Sequence, residues 1–268
     1  MRIASISIHP IKATAPIDLA RSDVELSGLH HDRRWAVISP DGTRLNATRH
    51  PRLPLVTATP DASGGLTLSA DGQDDLVVPL PVDGAHVPVD VSRLPTMVDA
   101  GTDAADWFTA HLGVPAGLVW QDDPARRPIS PDHGGRGDEP LNLADTAPIL
   151  LTTTSSLAQL NAWIAEDHGG DAIGMRRFRP NLVVDGADLP FEEDDWRGIR
   201  IGDLDYRFAE HCDRCVVTTI EPSTLTRGKE PIRTLARHRR WDGSTWFGVR
   251  IVPLGRGTVE VGDAVTVG

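Results

Sequence analysis

A chain of 268 residues, 40% hydrophobic and 24% charged, has the make-up of a globular protein with one large domain or two ordinary ones. Its net charge of −11, from 38 acidic against 27 basic residues, argues against nucleic-acid binding, which calls for a basic field. No apolar run is long enough to span a membrane, and the opening MRIASISIHPIK has no charged-then-apolar signal layout. Two cysteines make no disulfide framework, so the expectation is a cytoplasmic protein without a membrane partner.

From residue 1 to about 95 the chain predicts β structure. RIASISIHPI, DRRWAVIS, LVTAT, LTLSA and DLVVPL are short β-rich runs separated by PDG, ASGG and ADG turns, the spacing of a small barrel or sandwich. DAADWFTAHLG (103–113) has helical spacing at Trp107, Phe108 and Leu112, with Gly113 as its stop. QDDPARRPISPDHGGRGDEP (121–140) offers little to bury and predicts a long loop, a linker or a lid. SSLAQLNAWIAEDHGG (155–170) predicts the clearest helix, with serine at its start and Leu157, Leu160 and Ile164 on one face. From 181 the chain returns to β in NLVVDG, IRIGDLDYRFAE, VVTTI, FGVRIVPL and TVEVGDAVTVG, interrupted by a short helix in EPIRTLARHRR (230–240). There is no internal repeat, and the fold class expected is mostly β with a few helices.

The only two cysteines lie in HCDRCVVTTI (211–220). A structural zinc site wants four ligands, and there is no second C-x-x-C to supply them. A redox dithiol wants its first cysteine at a helix N-terminus, whereas VVTTI predicts a strand. Two small buried residues are a third reading. Arg214 between the thiols and His211 beside them favour a thiolate, and a single thiolate at a strand edge suits a soft or high-valent metal.

Of the 27 basic residues only Lys12 and Lys229 are lysines, so a Schiff-base mechanism has two candidates. Arginines gather before strands in HHDRRW (30–35) and MRRFRPN (175–181), and HPIK brings Lys12 to the end of the first strand. In so acidic a chain such clusters point to an anion cradle, since arginine pairs bidentately with phosphate. Taken singly, each cluster reads better as solvated charge beside acidic neighbours, and it is the three together with a thiolate that point to a phosphorylated metal cofactor.

HPIK, HHDRRWAVIS, ATRHPRL, LADTAPILLTTTSSLAQLN, MRRFRPNLVVDG, CDRCVVTTI and TVEVGDAVTV together resemble, in order, the MOSC-domain family, most nearly its amidoxime-reducing branch. The resemblance spans nearly the whole chain. It implies an N-terminal β-barrel domain (1–120) and a C-terminal β-barrel-like MOSC domain (121–268). It also implies a molybdenum cofactor, Mo-molybdopterin, with Cys215 as the protein ligand to the metal and the catalytic residue, and Cys212 as a structural neighbour. Family contacts to pterin and phosphate fall on Lys12, Arg33, Asp145, Thr146, Arg179, Asn181, Asp213 and Arg214, while Arg34, Arg176 and Arg177 have no counterpart and stay surface charges. Two positions depart from the family pattern: Ala13 stands where eukaryotic members have serine, and Asp213 where serine is common.

The activity so implied is reduction of small N-hydroxylated compounds, such as hydroxylamines, amidoximes or hydroxamic acids, at molybdenum. A sulfur carrier using a Cys215 persulfide and a non-catalytic cofactor-binding protein are the alternatives. The chain ends at Gly268 without the ferredoxin-like domain of some bacterial relatives, so a separate ferredoxin-, flavin- or cytochrome-type donor is expected. The mixed charges of 121–140 make that stretch the candidate docking segment.

Overall fold

The computed structural model describes residues 1–222 and 224–268. Strands dominate, as expected, and among the described residues three α-helices accompany them: α1 (Thr102–Leu112), α2 (Thr154–His168) and α3 (Ile232–His238). The largest sheet runs in the order Val265–Val267, Gly198–Ile201, Leu204–Asp213, Ser244–Pro253, Ile149–Thr153, Leu182–Asp185, Arg2–Ile8, Ile17–Leu19, with Arg240–Trp241 appended to Ser244–Pro253. Its one parallel pair, Ile149–Thr153 with Leu182–Asp185, is bridged by α2, because parallel neighbours need a crossover.

The first strand shows how sequence and sheet agree. Ile3 and Ile6 are three residues apart, which strict alternation would send to opposite faces. A bulge between Ile3 and Ser5 resets the register against Leu182–Asp185, and Ile3, Ile6 and Ile8 are all buried in one core. That core also takes Val24, Leu29, Ile149, Leu151, Leu182, Val249 and Ile251. Arg21–Glu25 pairs in turn with Gly257–Glu260. The sheets therefore divide elsewhere than at residue 120: the first thirty residues are built into the sheets and core of the C-terminal half.

A second core gathers Trp35, Leu53, Leu66, Leu68, Trp107, Phe108 and Leu118 around α1 and the sheet Thr57–Pro60, Leu66–Ser69, Leu76–Val78. Trp35–Ile38, Gly117–Trp120, Leu94–Asp99 and His86–Val91 form a four-stranded sheet beside it. The last two strands escape a reading by alternation because each carries a proline. Pro88 lies on the edge strand, and Pro95 falls at a register shift, the two places a sheet tolerates it.

α1 and α3 lie where the spacing puts them, and Gly113 closes α1 in the left-handed conformation at φ 69°. α2 begins one residue earlier than its serines suggest, capped by Thr153, whose hydroxyl accepts from the Ser156 N–H. VVTTI is not a strand: Val216–Thr219 is a 3₁₀ turn. Its threonine hydroxyls donate back three residues, Thr218 to the Cys215 carbonyl at 2.9 Å and Thr219 to that of Val216 at 2.7 Å, which outweighs the β preference of so short a run.

The stretch 121–140 is more than a loop with nothing to bury. Arg127 and Ile129 are buried, with Arg127 donating to the carbonyls of Ser92, Asn142 and Asp145. Glu139 receives the Arg207 guanidinium, and His133 meets Glu210 at 2.9 Å. These ties strap the segment to both halves.

Candidate functional site

A cavity of about 830 Å³ opens where the two halves meet. It sits at the upper end of the ~300–1,000 Å³ usual for small-molecule and cofactor sites. Nine cationic side chains line it against three carboxylates, Asp145, Asp213 and Glu221, the reverse of the balance in the whole chain.

The cationic end is assembled from distant segments. After the first strand the chain turns through His9 and Pro10, and Lys12 is fixed by its backbone N–H to the Trp35 carbonyl at 2.8 Å. Its ammonium donates to the Leu143 carbonyl at 2.6 Å and to Asp145 at 2.7 Å. Burial lowers Lys12 from its ordinary 10.5 to about 8 against the pull of Asp145. Lys12 in turn holds Asp145 well below the usual carboxylate range.

Arg33 adopts the left-handed region at φ 48° and donates to Asp32 at 2.5 Å, Asn181 at 3.0 Å and the Arg179 carbonyl at 3.3 Å. Asp32 is fully buried; Arg33 and His9 overcome that burial and hold it at about 2. Arg179 ends the 3₁₀ turn Met175–Phe178, also left-handed at φ 55°, and donates to the Thr14 carbonyl at 2.7 Å. Burial and then the charge of Arg33 work against its cation. Asn181 accepts from the Leu150 N–H at 3.1 Å and donates to the Ser7 carbonyl at 3.1 Å, so its amide joins three segments. Cations held together with so little opposing charge make a site that favours an anion.

The thiol end is one local stretch. Cys212 is 2% exposed, and Arg214 donates to its sulfur at 2.7 Å and to the Phe178 carbonyl at 2.6 Å. Cys215, three residues on, is exposed, and both thiols are free. The arginine between the cysteines thus serves the buried one. His211 turns from both, packing among Phe208, Trp241 and Trp246 with Asp194 at 4.0 Å. Among the described residues no three His, Cys, Asp or Glu side chains gather as metal ligands, so the C-x-x-C builds no zinc site of its own.

Of the residues read from the motifs, Lys12, Arg33, Asp145, Arg179, Asn181, Asp213, Arg214 and Cys215 line this one cavity. Thr146 does not; its hydroxyl is committed to Glu210. Asp213 sends its carboxylate to Arg250 at 2.9 Å, which offsets a negative charge otherwise awkward beside an anion. Arg34 is no surface charge: it is half-buried, donates to the Gln121 carbonyl at 2.6 Å and lies over Trp120. Arg177 is likewise tied down, with both Nε and Nη2 on Glu221.

Arg250, Arg44 and Arg49 also line the cavity and were assigned no role from the sequence, although Arg49 lies within ATRHPRL. Arg250 leaves a signal, a lone charge inside the apolar run FGVRIVPL. Burial opposes its cation, but Cys212, Glu210 and Asp213 hold it firmly protonated. No residue of 121–140 lines the cavity.

The family model described as "MOSC N-terminal beta barrel domain" matches residues 1–115, and that described as "MOSC domain" matches residues 138–266. Mitochondrial amidoxime-reducing component 1 of Homo sapiens is 31% identical over 98% of this chain and 82% of its own length. Mitochondrial amidoxime reducing component 2 of Rattus norvegicus is 30% identical with the same shares, 98% and 82%. Molybdenum cofactor sulfurase of Danio rerio is 29% identical over 92% of this chain but 31% of its own. The crystal structure of the YUAD protein from Bacillus subtilis matches 98% of this chain and 93% of its own at 11% identity and a TM-score of 0.42, too loose a likeness to argue from.

Proposed function

This chain belongs to the MOSC-domain family, and on that premise we propose that its cavity holds a molybdopterin-type molybdenum cofactor and that the protein is an oxidoreductase reducing small N-hydroxylated compounds. The observation that carries the reading is an exposed thiol, Cys215, on the same cavity as an excess of cations, most of them half-buried.

The residues suit such a group. Lys12, Arg33, Arg179 and Asn181 would hold its phosphate, and Arg214 and the backbone of 212–215 its pterin side. Cys215 would be the protein's ligand to the metal, a role that wants a reachable sulfur, which Cys212 does not offer. When bound, the cofactor supplies two-electron oxygen-atom transfer at its molybdenum. The chain's own work is to orient and to screen: Val217, Ile220 and Pro222 bring apolar surface to the cavity beside Cys215. Electrons would arrive from a separate ferredoxin-, flavin- or cytochrome-type donor. Among the described residues no helix is long and apolar enough to cross a membrane.

A sulfur-carrying role for Cys215 is the second reading, favoured by its exposure and by the relative named a molybdenum cofactor sulfurase. Elemental analysis decides between them. Protein made in a host that synthesises molybdopterin is expected to purify with stoichiometric molybdenum and to reduce a hydroxamic acid with an artificial reductant. Protein without the metal, bearing a persulfide on Cys215, would end the oxidoreductase reading.

A further inference from the structure

Seven of the nine cations on the cavity are engaged. Lys12, Arg33, Arg177, Arg179, Arg214 and Arg250 donate to protein oxygens or sulfur, and Arg176 pairs with Asp18 at 2.5 Å. Among the described residues the side chains of Arg44 and Arg49 meet no partner, although both line the cavity.

Their backbones are held in place. After Trp35–Ile38 the chain reverses at Asp41–Gly42, and Arg44 returns opposite Ile38, with the Leu45 N–H on the Val37 carbonyl at 2.9 Å. The Asn46 side chain accepts from the N–H groups of Thr48 and Arg49, each at 3.1 Å, closing a tight turn that presents Arg49 outward. Arg44 is half-buried and near enough to Lys12 for its charge to weigh on that ammonium; Arg49 is exposed. Both guanidinium groups thus border the cavity, Arg44 from a half-buried wall and Arg49 from an exposed turn.

The charges decide what these two are for. A phosphate monoester carries about −1.5 to −2 at neutral pH. Seated among Lys12, Arg33 and Arg179 it would leave the cavity, with nine cations and three carboxylates, still positive. We infer that Arg44 and Arg49 form a second anion subsite, and that the N-hydroxylated substrates of this protein carry a carboxylate or phosphate group seated there. This rests on the reading above. The same chemistry would greet a further phosphate on a larger form of the cofactor, and the test separates the two sources.

The holoprotein is assayed with benzhydroxamic acid and 4-carboxybenzhydroxamic acid under reduced methyl viologen. Binding of the non-reducible benzamide and 4-carboxybenzamide is measured by calorimetry. Molybdenum and pterin content is determined for the parent and for the double variant R44M/R49Q. The parent is expected to prefer the carboxylated member of each pair by about ten-fold or more, the scale of one charge-assisted hydrogen bond, and less so as salt rises. In R44M/R49Q that preference is expected to collapse, with cofactor content kept, and in R44K/R49K, which keeps the charge, to return in part.

A parent with no preference overturns the subsite while leaving N-hydroxyl reduction intact. A double variant that loses molybdenum and pterin assigns the arginines to the cofactor and also overturns it. Arginine-dependent binding of 4-carboxybenzamide by a protein that reduces no N-hydroxylated compound upholds the subsite and sinks the proposed activity instead.

Discussion

At one end of the cavity Lys12, Arg33 and the pair Arg179 and Asn181 arrive from three separate stretches of chain, Arg33 fastening onto Asn181 and the Arg179 carbonyl and Lys12 onto Leu143; at the other, Cys212, Arg214 and Cys215 are near neighbours on one strand end. The cationic end is part of the fold. Asn181 bonds the first strand and Ile149–Thr153 at once, and Arg33 grips the carbonyl of Arg179. At the thiol end Cys212 and Arg214 are tied in, but Cys215 is exposed and its own threonines close the turn after it. The lesson is that the anion end is bound into the tertiary structure, whereas Cys215 can be altered with little effect on the fold.

The hardest test of that contrast removes the first half. A fragment of residues 141–268 loses Arg2–Ile8 and Ile17–Leu19 from the large sheet, together with Ile3, Ile6, Ile8, Val24 and Leu29 from its core. At about 1.5–3 kcal/mol for each buried side chain, the loss is on the order of 10 kcal/mol, comparable to the whole stability of a domain. The fragment is expected to show no cooperative melting transition; a fragment that melts like the parent would make the cationic end as separable as the thiol end.

Next come single substitutions at each end. Arg179→Ala is expected to weaken cofactor retention by roughly 2–5 kcal/mol, the cost of leaving a desolvated ion partner unpaired, read as pterin lost on dialysis. Cys215→Ala is expected to lose molybdenum and activity while its cofactor-free form melts where the cofactor-free parent does, since an exposed side chain contributes little to packing. A large drop in stability for Cys215→Ala would erase the distinction.

A smaller effect should follow pH at the cationic end alone. Lys12 in the free cavity loses its proton near pH 8, so inorganic phosphate is expected to bind about five-fold more weakly at pH 9 than at pH 8 in equilibrium dialysis, because the half-protonated lysine of pH 8 must take up most of a proton on binding at pH 9. The same shift raises stability with pH over that range, because above about 8 the unfolded chain still holds a proton on this lysine that the folded chain has released. Phosphate affinity flat from pH 7 to 9 would remove Lys12 from the anion site. The smallest effect belongs to Cys212→Ala, which gives up the Arg214 contact and a small buried side chain, about 1 kcal/mol in a denaturation curve, with molybdenum retained.

The same contrast explains what the sequence revealed. The cysteine stretch could be recognised because its members are contiguous, and Lys12, Arg33 and Arg179 because each lies in a short motif beside a strand. Arg44 and Arg49 could not, since nothing local distinguishes an unpaired arginine from a solvated one; only the cavity does that. Alternation found the first strand but not its bulge. It misread Val216–Thr219 because the Thr218 and Thr219 hydroxyls, each bonded three residues back, hold so short a run in a turn, and alternation does not record such bonds. The stretch 121–140 looked unburied because its anchors are charged: Arg127 and Glu139 pack by hydrogen bonding, a contribution that no hydrophobic pattern records.

The pairing of Arg2–Ile8 with Leu182–Asp185, and of Arg21–Glu25 with Gly257–Glu260, has a consequence in time as well as in space. A ribosome working at about 5–20 residues per second needs roughly 10–50 s to deliver the second partner after the first. Throughout that interval a strand whose Ile3, Ile6 and Ile8 belong in the core has only the short Ile17–Leu19 to pair with. Such long-range closure makes refolding slow, and it makes the waiting strand the place where a nascent chain is most exposed to pairing with another copy of itself.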